Sequence, residues 1–153
     1  MFNLSEATQK FLAQNKNKRI VFTNGCFDIL HIGHLRYLQA ARELGDVLLV
    51  GVNSDQSVKK LKGPARPINT AEIRCEFLRG LRWVDQVEIF GEETPFELIK
   101  AVRPQVLVKG GDWPVEKIVG HEFVQSYGGI VQSLPFVDGF STTILLQKMG
   151  QLL

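Results

Sequence analysis

Two histidines, His31 and His34, stand three positions apart, with Gly33 between them and an apolar periodic stretch directly after. Imidazoles at that spacing can point to one side of a helix's first turn. Gly33 lets a ligand or another piece of backbone pass close between them. A helix start presents free N–H groups and a partial positive charge, which together favour phosphate. The chemistry that suits this pattern is the gripping of a phosphate that gains negative charge in a transition state. Zinc ligation competes, but it needs at least three protein ligands, and the third histidine, His121, has no partner at a telling spacing. A structural role is the default for a lone histidine. Two histidines flanking a glycine, just after Asn24-Gly25-Cys26-Phe27-Asp28, depart from that default, and phosphate handling is the preferred reading.

Three further segments carry polar or charged groups that suit the same chemistry. Lys59, Lys60, Lys62 and Arg66 fall in a polar stretch from Asn53 through Pro67, read as a loop, and Arg74 follows on the next helix. Lys59 and Lys60 read as solvated surface. Lys62-Gly63 is expected near the histidines, with Arg74 facing the loop, to neutralise phosphates. Ser141-Thr142-Thr143 after Asp138-Gly139 either caps a helix or binds the outer phosphates of a triphosphate. Lys109-Gly110-Gly111-Asp112-Trp113 lets a base or ribose approach the backbone. Asp112 can take a ribose hydroxyl or support a metal, although Gly-Gly is also a common turn.

Elements must bring these segments together. A short N-terminal helix with Ser5 or Asn3 as cap and Phe11 and Leu12 on its apolar side precedes a buried strand at Ile20–Thr23. A helix carrying Leu35, Leu38, Ala41 and Leu44 follows, with Gly45 as its stop. Val47–Val52 is a second strand, apolar enough to be covered on both faces. Asn69 and Glu72 form a capping box for a helix whose apolar side is Ile73, Phe77, Leu78 and Leu81. Val84–Phe90 is a third strand. Thr94-Pro95-Phe96-Glu97 opens a helix with proline at its first position. Val106–Val108 is a fourth strand, a helical stretch covers 115–127, Ile130–Leu134 is a fifth strand, and Ser141 opens a last helix. The alternation predicts an α/β fold, a Rossmann-like parallel sheet with helices on both faces and ligands beyond the carboxyl ends of the strands.

The chain of 153 residues reads as a single domain, with 1–18 as an N-terminal helical extension. Eighteen Lys and Arg against 16 Asp and Glu give a net charge of +2, too mild to suggest a nucleic-acid partner. No apolar run approaches the ~20 residues of a membrane span, and the N-terminus lacks the apolar core of a signal peptide. A cytoplasmic protein is expected, with Cys26 and Cys75 as free thiols.

Thr23-Asn24-Gly25-Cys26-Phe27-Asp28 with His31-Ile32-Gly33-His34 resembles the signature of the cytidylyltransferase-like superfamily, and Ser141-Thr142-Thr143 resembles its second motif. The letters HIGH also match class I aminoacyl-tRNA synthetases, but the Lys-Met-Ser-Lys-Ser loop is absent. The finer pattern is similar to the adenylyltransferases of D-glycero-β-D-manno-heptose 1-phosphate, through Asn53-Ser54-Asp55, Leu61-Lys62-Gly63, Arg66-Pro67-Ile68-Asn69, Lys109-Gly110-Gly111-Asp112 and Asp138-Gly139. It departs at Leu146, where many members carry a basic residue.

The resemblance implies the nucleotidyltransferase (HxGH) fold, ATP and a sugar phosphate as partners, Mg²⁺ carried mainly on the triphosphate, and a homodimer. It implies His31, His34 and Lys62 as catalytic residues. Thr23, Asn24, Gly25, Cys26, Phe27, Lys109, Gly110, Asp112, Ser141, Thr142 and Thr143 are expected at the nucleotide. Asp28, Asn53, Asp55, Arg66, Asn69 and Arg74 are expected at the sugar phosphate. The acceptor is already an anion, so no catalytic triad is needed. The alternatives are a cytidylyltransferase for glycerol 3-phosphate or a related alcohol phosphate, and a non-catalytic nucleotide sensor.

Overall fold

The computed structural model describes residues 1–153. Five strands form one sheet: β1 (Ile20–Gly25), β2 (Val47–Asn53), β3 (Gln86–Phe90), β4 (Val106–Gly110) and β5 (Ile130–Leu134). Their spatial order is β3-β2-β1-β4-β5, and every pairing is parallel. The chain winds outward one way through β2 and β3 and the other way through β4 and β5. The direction reverses between β1 and β4, which opens a crevice at the carboxyl ends of those two strands.

The seven helices are α1 (Glu6–Gln14), α2 (Ile32–Arg42), α3 (Asp55–Lys62), α4 (Ala71–Arg79), α5 (Phe96–Val102), α6 (His121–Ser126) and α7 (Thr142–Gly150), with a 3₁₀ turn at Val115–Lys117. Alternation along the strands builds two cores. Val21 and Val50 join Leu38 and Ala41 of α2 and Cys75 and Leu78 of α4 on one face. Ile20, Phe22 and Leu49 join Leu98 and Ile99 of α5 and Val124 of α6 on the other, where Phe11 and Leu12 of α1 also pack. The predicted two-faced parallel sheet is therefore observed. No helix is long and apolar enough to cross a membrane.

Helix α1 is fixed by a buried carboxylate. Glu88 on β3 accepts from the Ser5 N–H (3.2 Å), the Ser5 hydroxyl (2.6 Å) and the Thr8 hydroxyl. Ser5 also caps the helix by accepting from the Thr8 N–H.

Five sequence expectations are corrected. The stretch read as a loop from Asn53 to Pro67 contains α3, started by Ser54, whose hydroxyl accepts from the Ser57 N–H. Only Ser57 and Val58 of that helix are buried, so its apolar period is too thin to read. In α4, Ile73 and Phe77 are exposed, and Ala71, Arg74, Cys75 and Leu78 face inward. Asn69 does not cap α4; Thr70 holds that position without a side-chain bond. Pro95 sits at the cap of α5 rather than inside it, and the stretch read as one helix over 115–127 breaks at Gly120, whose φ is +88°.

Candidate active site

A cavity of about 460 Å³ lies at the crevice, walled by the β1–α2 loop, the start of α2, the end of α3, the end of β4 and the start of α7. It gathers Asn24, Gly25, Cys26, Phe27, Asp28, His31, His34, Lys62, Lys109, Gly110 and Ser141 to Thr143, all named from the sequence. Tyr37, Phe136, Val137 and Phe140 also line it and were not foreseen. Phe136 is 68% exposed at the end of β5, an aromatic face open to a ligand. Its signal was an aromatic just after a predicted strand end.

The two histidines are locked by the backbone. His31 caps α2, and its Nδ1 accepts the Gly33 N–H at 3.1 Å. The His31 N–H in turn donates to Nδ1 of His34 at 3.3 Å. With each Nδ1 serving as an acceptor, a neutral ring carries its proton on Nε2. The rings stack loosely, 3.9 Å between centroids. Burial lowers the pKa of both. His34 falls to about 4, chiefly through burial and then through the nearby charges of His31 and Lys62. Both are therefore neutral N–H donors at pH 7. Gly33 is required here, because a Cβ at that position would lie 2.8 Å from the His31 ring.

The other walls are also donor-rich. Ser141 caps α7 by accepting the Ile144 N–H at 3.1 Å, and Thr142 donates to the Ile29 carbonyl at 3.4 Å, tying α7 to the β1–α2 loop. The N–H groups of Thr142 and Thr143 in the first turn of α7 have no intrahelical acceptor, and both residues line the cavity. The capping reading of Ser141 thus holds, while the backbone it exposes can still meet phosphate. Lys62 and Lys109 have no carboxylate partner, since the four ion pairs of the chain lie elsewhere. Cys26 is kept a thiol: burial raises its pKa above the ordinary value despite Lys62, Arg74 and Arg66 nearby.

Several residues expected at the ligands are committed to holding the walls. The Asp28 carboxylate accepts from Arg66 Nε (2.7 Å), the Ile68 N–H (2.8 Å) and the Asn69 N–H (2.8 Å). Burial opposes its charge, but the Asn69 and Ile68 amides and the Arg66 guanidinium outweigh it and hold its pKa below the ordinary carboxylate range. Arg74 is fully buried and donates to the Asn69 carbonyl, the Cys26 carbonyl and Asp55. Asn53 is buried and donates to Ser57. Asn69 donates its side-chain amide to the Asp28 carbonyl. Thr23 is buried against the Tyr37 hydroxyl at 2.6 Å, and burial pushes that phenol up to about 12 even with the Thr23 bond. Thr23, Asn53, Asp55, Arg66, Asn69, Arg74 and Asp112 do not line the cavity.

A family model described as cytidylyltransferase-like matches residues 22–147. The chain is 54% identical over 134 residues to the bifunctional protein HldE of Trichlorobacter lovleyi, covering 88% of this chain and 27% of that one. It is 56% identical over 134 residues to the bifunctional protein HldE of Nitratiruptor sp., covering 88% and 28%. The chain thus spans about a quarter of the length of these curated relatives. Among solved structures, the lipopolysaccharide core biosynthesis protein of Thermoplasma volcanium is similar, with TM-score 0.60 and 30% identity, covering 78% of this chain and 97% of that one.

Proposed function

The chain belongs to the cytidylyltransferase-like family and is a nucleotidyltransferase, and from that premise we propose that it transfers AMP from ATP to D-glycero-β-D-manno-heptose 1-phosphate. The observation that carries this reading is the pair of neutral imidazoles locked at the start of α2, facing Lys62, Lys109 and the open first turn of α7 across one cavity. Such a wall is shaped for phosphates and supplies no activated nucleophile. The heptose branch is supported by the similarity to the two HldE proteins and to the core biosynthesis protein.

In this mechanism an oxygen of the acceptor phosphate attacks the α-phosphorus in line. A new P–O bond forms there while the bond from the α-phosphorus to the β-bridging oxygen breaks, and pyrophosphate leaves. The acceptor oxygen is already anionic, so no base takes a proton. Charge grows on the α-phosphate oxygens and the leaving group, where preorganised donors act without rearranging. Nε2–H of His31 and His34 and the Lys62 ammonium are those donors. The α7 N-terminus holds the leaving pyrophosphate, and Phe136 offers its face to the adenine. No group of three or more His, Cys, Asp or Glu side chains is placed to hold a metal ion, and the Asp28 carboxylate is already bonded by three donors. In this reading Mg²⁺ enters with the triphosphate as part of the substrate. We place the reaction in the cytoplasm, where ATP is supplied.

The test is pyrophosphate release from ATP or CTP, each paired with heptose 1-phosphate or glycerol 3-phosphate. ATP with heptose 1-phosphate should be much the fastest pair. A faster CTP pair would remove the heptose assignment and leave the nucleotidyltransferase standing.

A further inference from the structure

The polar side chains expected to hold the sugar are largely occupied in internal bonds, so the sugar needs other partners. A second cavity of about 200 Å³ lies beside the first and shares Asn24 and Lys109 with it. Pro95, Trp113, Lys117 and Val119 complete its rim. None of its lining residues is acidic. The Asn24 amide, the Lys117 ammonium and the indole N–H make no internal hydrogen bond or ion pair, and Lys109 only faces the Trp113 ring at 5.9 Å. Trp113 is 48% exposed and folds back over Gly111, where a Cβ would lie 2.9 Å from its Nε1. Gly111 has φ +110°, so the backbone there is fitted to that fold-back.

A flat aromatic surface ringed by unpaired donors, with no negative group, suits an anionic ligand rich in hydroxyls and C–H faces. It has less than half the volume of the first cavity, too little for a nucleoside triphosphate. Resting on the transferase reading above, we propose that this second cavity holds the sugar of the acceptor. The ring lies on Trp113, Lys117 and Asn24 bond its hydroxyls, and its phosphate reaches the first cavity at the shared Asn24 and Lys109. The two substrates then approach from opposite sides of the β1–β4 crevice and meet at its floor.

The proposal is tested by steady-state kinetics on Trp113→Ala and Trp113→Phe, with melting curves to establish folding. Trp113→Ala should raise KM for heptose 1-phosphate about tenfold or more, as expected for one lost aromatic surface. KM for ATP should stay within about twofold, and Trp113→Phe should recover most of the loss. A rise in KM for ATP with none for the sugar phosphate, or no change in either, overturns the proposal. A second measurement separates it from the transferase reading. Trp83 and Trp113 are the two tryptophans of the chain, so in Trp83→Phe the emission reports on Trp113 alone. Heptose 1-phosphate added without nucleotide should shift that emission saturably, and an unchanged emission overturns the sugar site. If the wild type turns over no sugar phosphate, the transferase reading fails, and the emission titration still decides whether a sugar phosphate binds here.

Discussion

Arg74 donates to the backbone carbonyl of Cys26 at 2.6 Å, so a buried guanidinium on α4 holds the loop that carries the first site motif. Through Asp55 it also holds the start of α3, and through the Asn69 carbonyl the loop before α4. One side chain thereby sets the distance between the wall that carries the histidines and the wall that carries Lys62.

Removing that brace should be costly. Arg74→Ala is expected to lower stability by roughly 2–4 kcal/mol, because it empties a fully buried position and leaves the part-buried carbonyls of Cys26 and Asn69 without their donor. Arg74→Lys should recover little, since an ammonium cannot span three acceptors in fixed directions. Urea denaturation of the three proteins checks this, and a stable, fully active Arg74→Lys would contradict it.

Replacing the histidines should damage turnover more than ATP binding. His31→Ala or His34→Ala is expected to reduce kcat by about two to three orders of magnitude, the scale of a lost oxyanion donor. His34→Asn is the sharper variant. Its side-chain oxygen can still accept the His31 N–H, so the fold should survive while the Nε2–H donor is gone. Near-normal kcat in His34→Asn would remove His34 from the chemistry.

The same histidine links stability to acid. Its folded pKa of about 4 lies below the ordinary 6.5, so the neutral ring is the form that the fold favours. That contribution is fully present above pH 6.5 and is lost as pH falls toward 4, where the unfolded chain takes up the proton first. Melting temperature should therefore drop more steeply over this window in the ligand-free wild type than in His34→Asn. Parallel curves would show that the ring is not held neutral.

The three lysines of α3 should separate by position. Lys62 lines the cavity at the helix end, while Lys59 and Lys60 are exposed outside it. Lys62→Ala should cripple kcat/KM, and Lys59→Ala or Lys60→Ala should change it little. Equal losses at all three would point to a diffuse field.

Cys26→Ser should remain active, because the thiol is kept protonated by burial and the reaction has no covalent step for it. Mass spectrometry of a quenched reaction should find no nucleotidyl–cysteine adduct.

The strand periods, the glycine stops and the motif at the start of α2 were legible because each has a local physical cause. Helix α3 was not: of its eight residues only Ser57 and Val58 are buried, and the cap at Ser54 was its one clear sign. On α4 the hydrophobic pattern pointed the wrong way, since Arg74 is inside and Phe77 outside. Burial of Arg74 rests on acceptors at Cys26 and Asp55 as well as at nearby Asn69, and no local window contains the first two. For the same reason the bonds that tie Asp28 and Asn69 to each other's loops are invisible to a local reading. Phe136 and Trp113 take their meaning from the cavities they border, and those exist only once the sheet is assembled.

Glu88 has a mechanical consequence for the N-terminal helix. An apolar face alone would let α1 slip along the sheet by a turn at small cost, trading one set of van der Waals neighbours for another. The carboxylate acts as a detent. Only with Ser5 and Thr8 directly over it are its oxygens bonded. One turn away it would be a desolvated, unpaired charge, a penalty of several kcal/mol. The helix therefore has one indexed stop on the sheet, and the hydroxyls of Ser5 and Thr8, more than the grease of Phe11 and Leu12, decide where it halts.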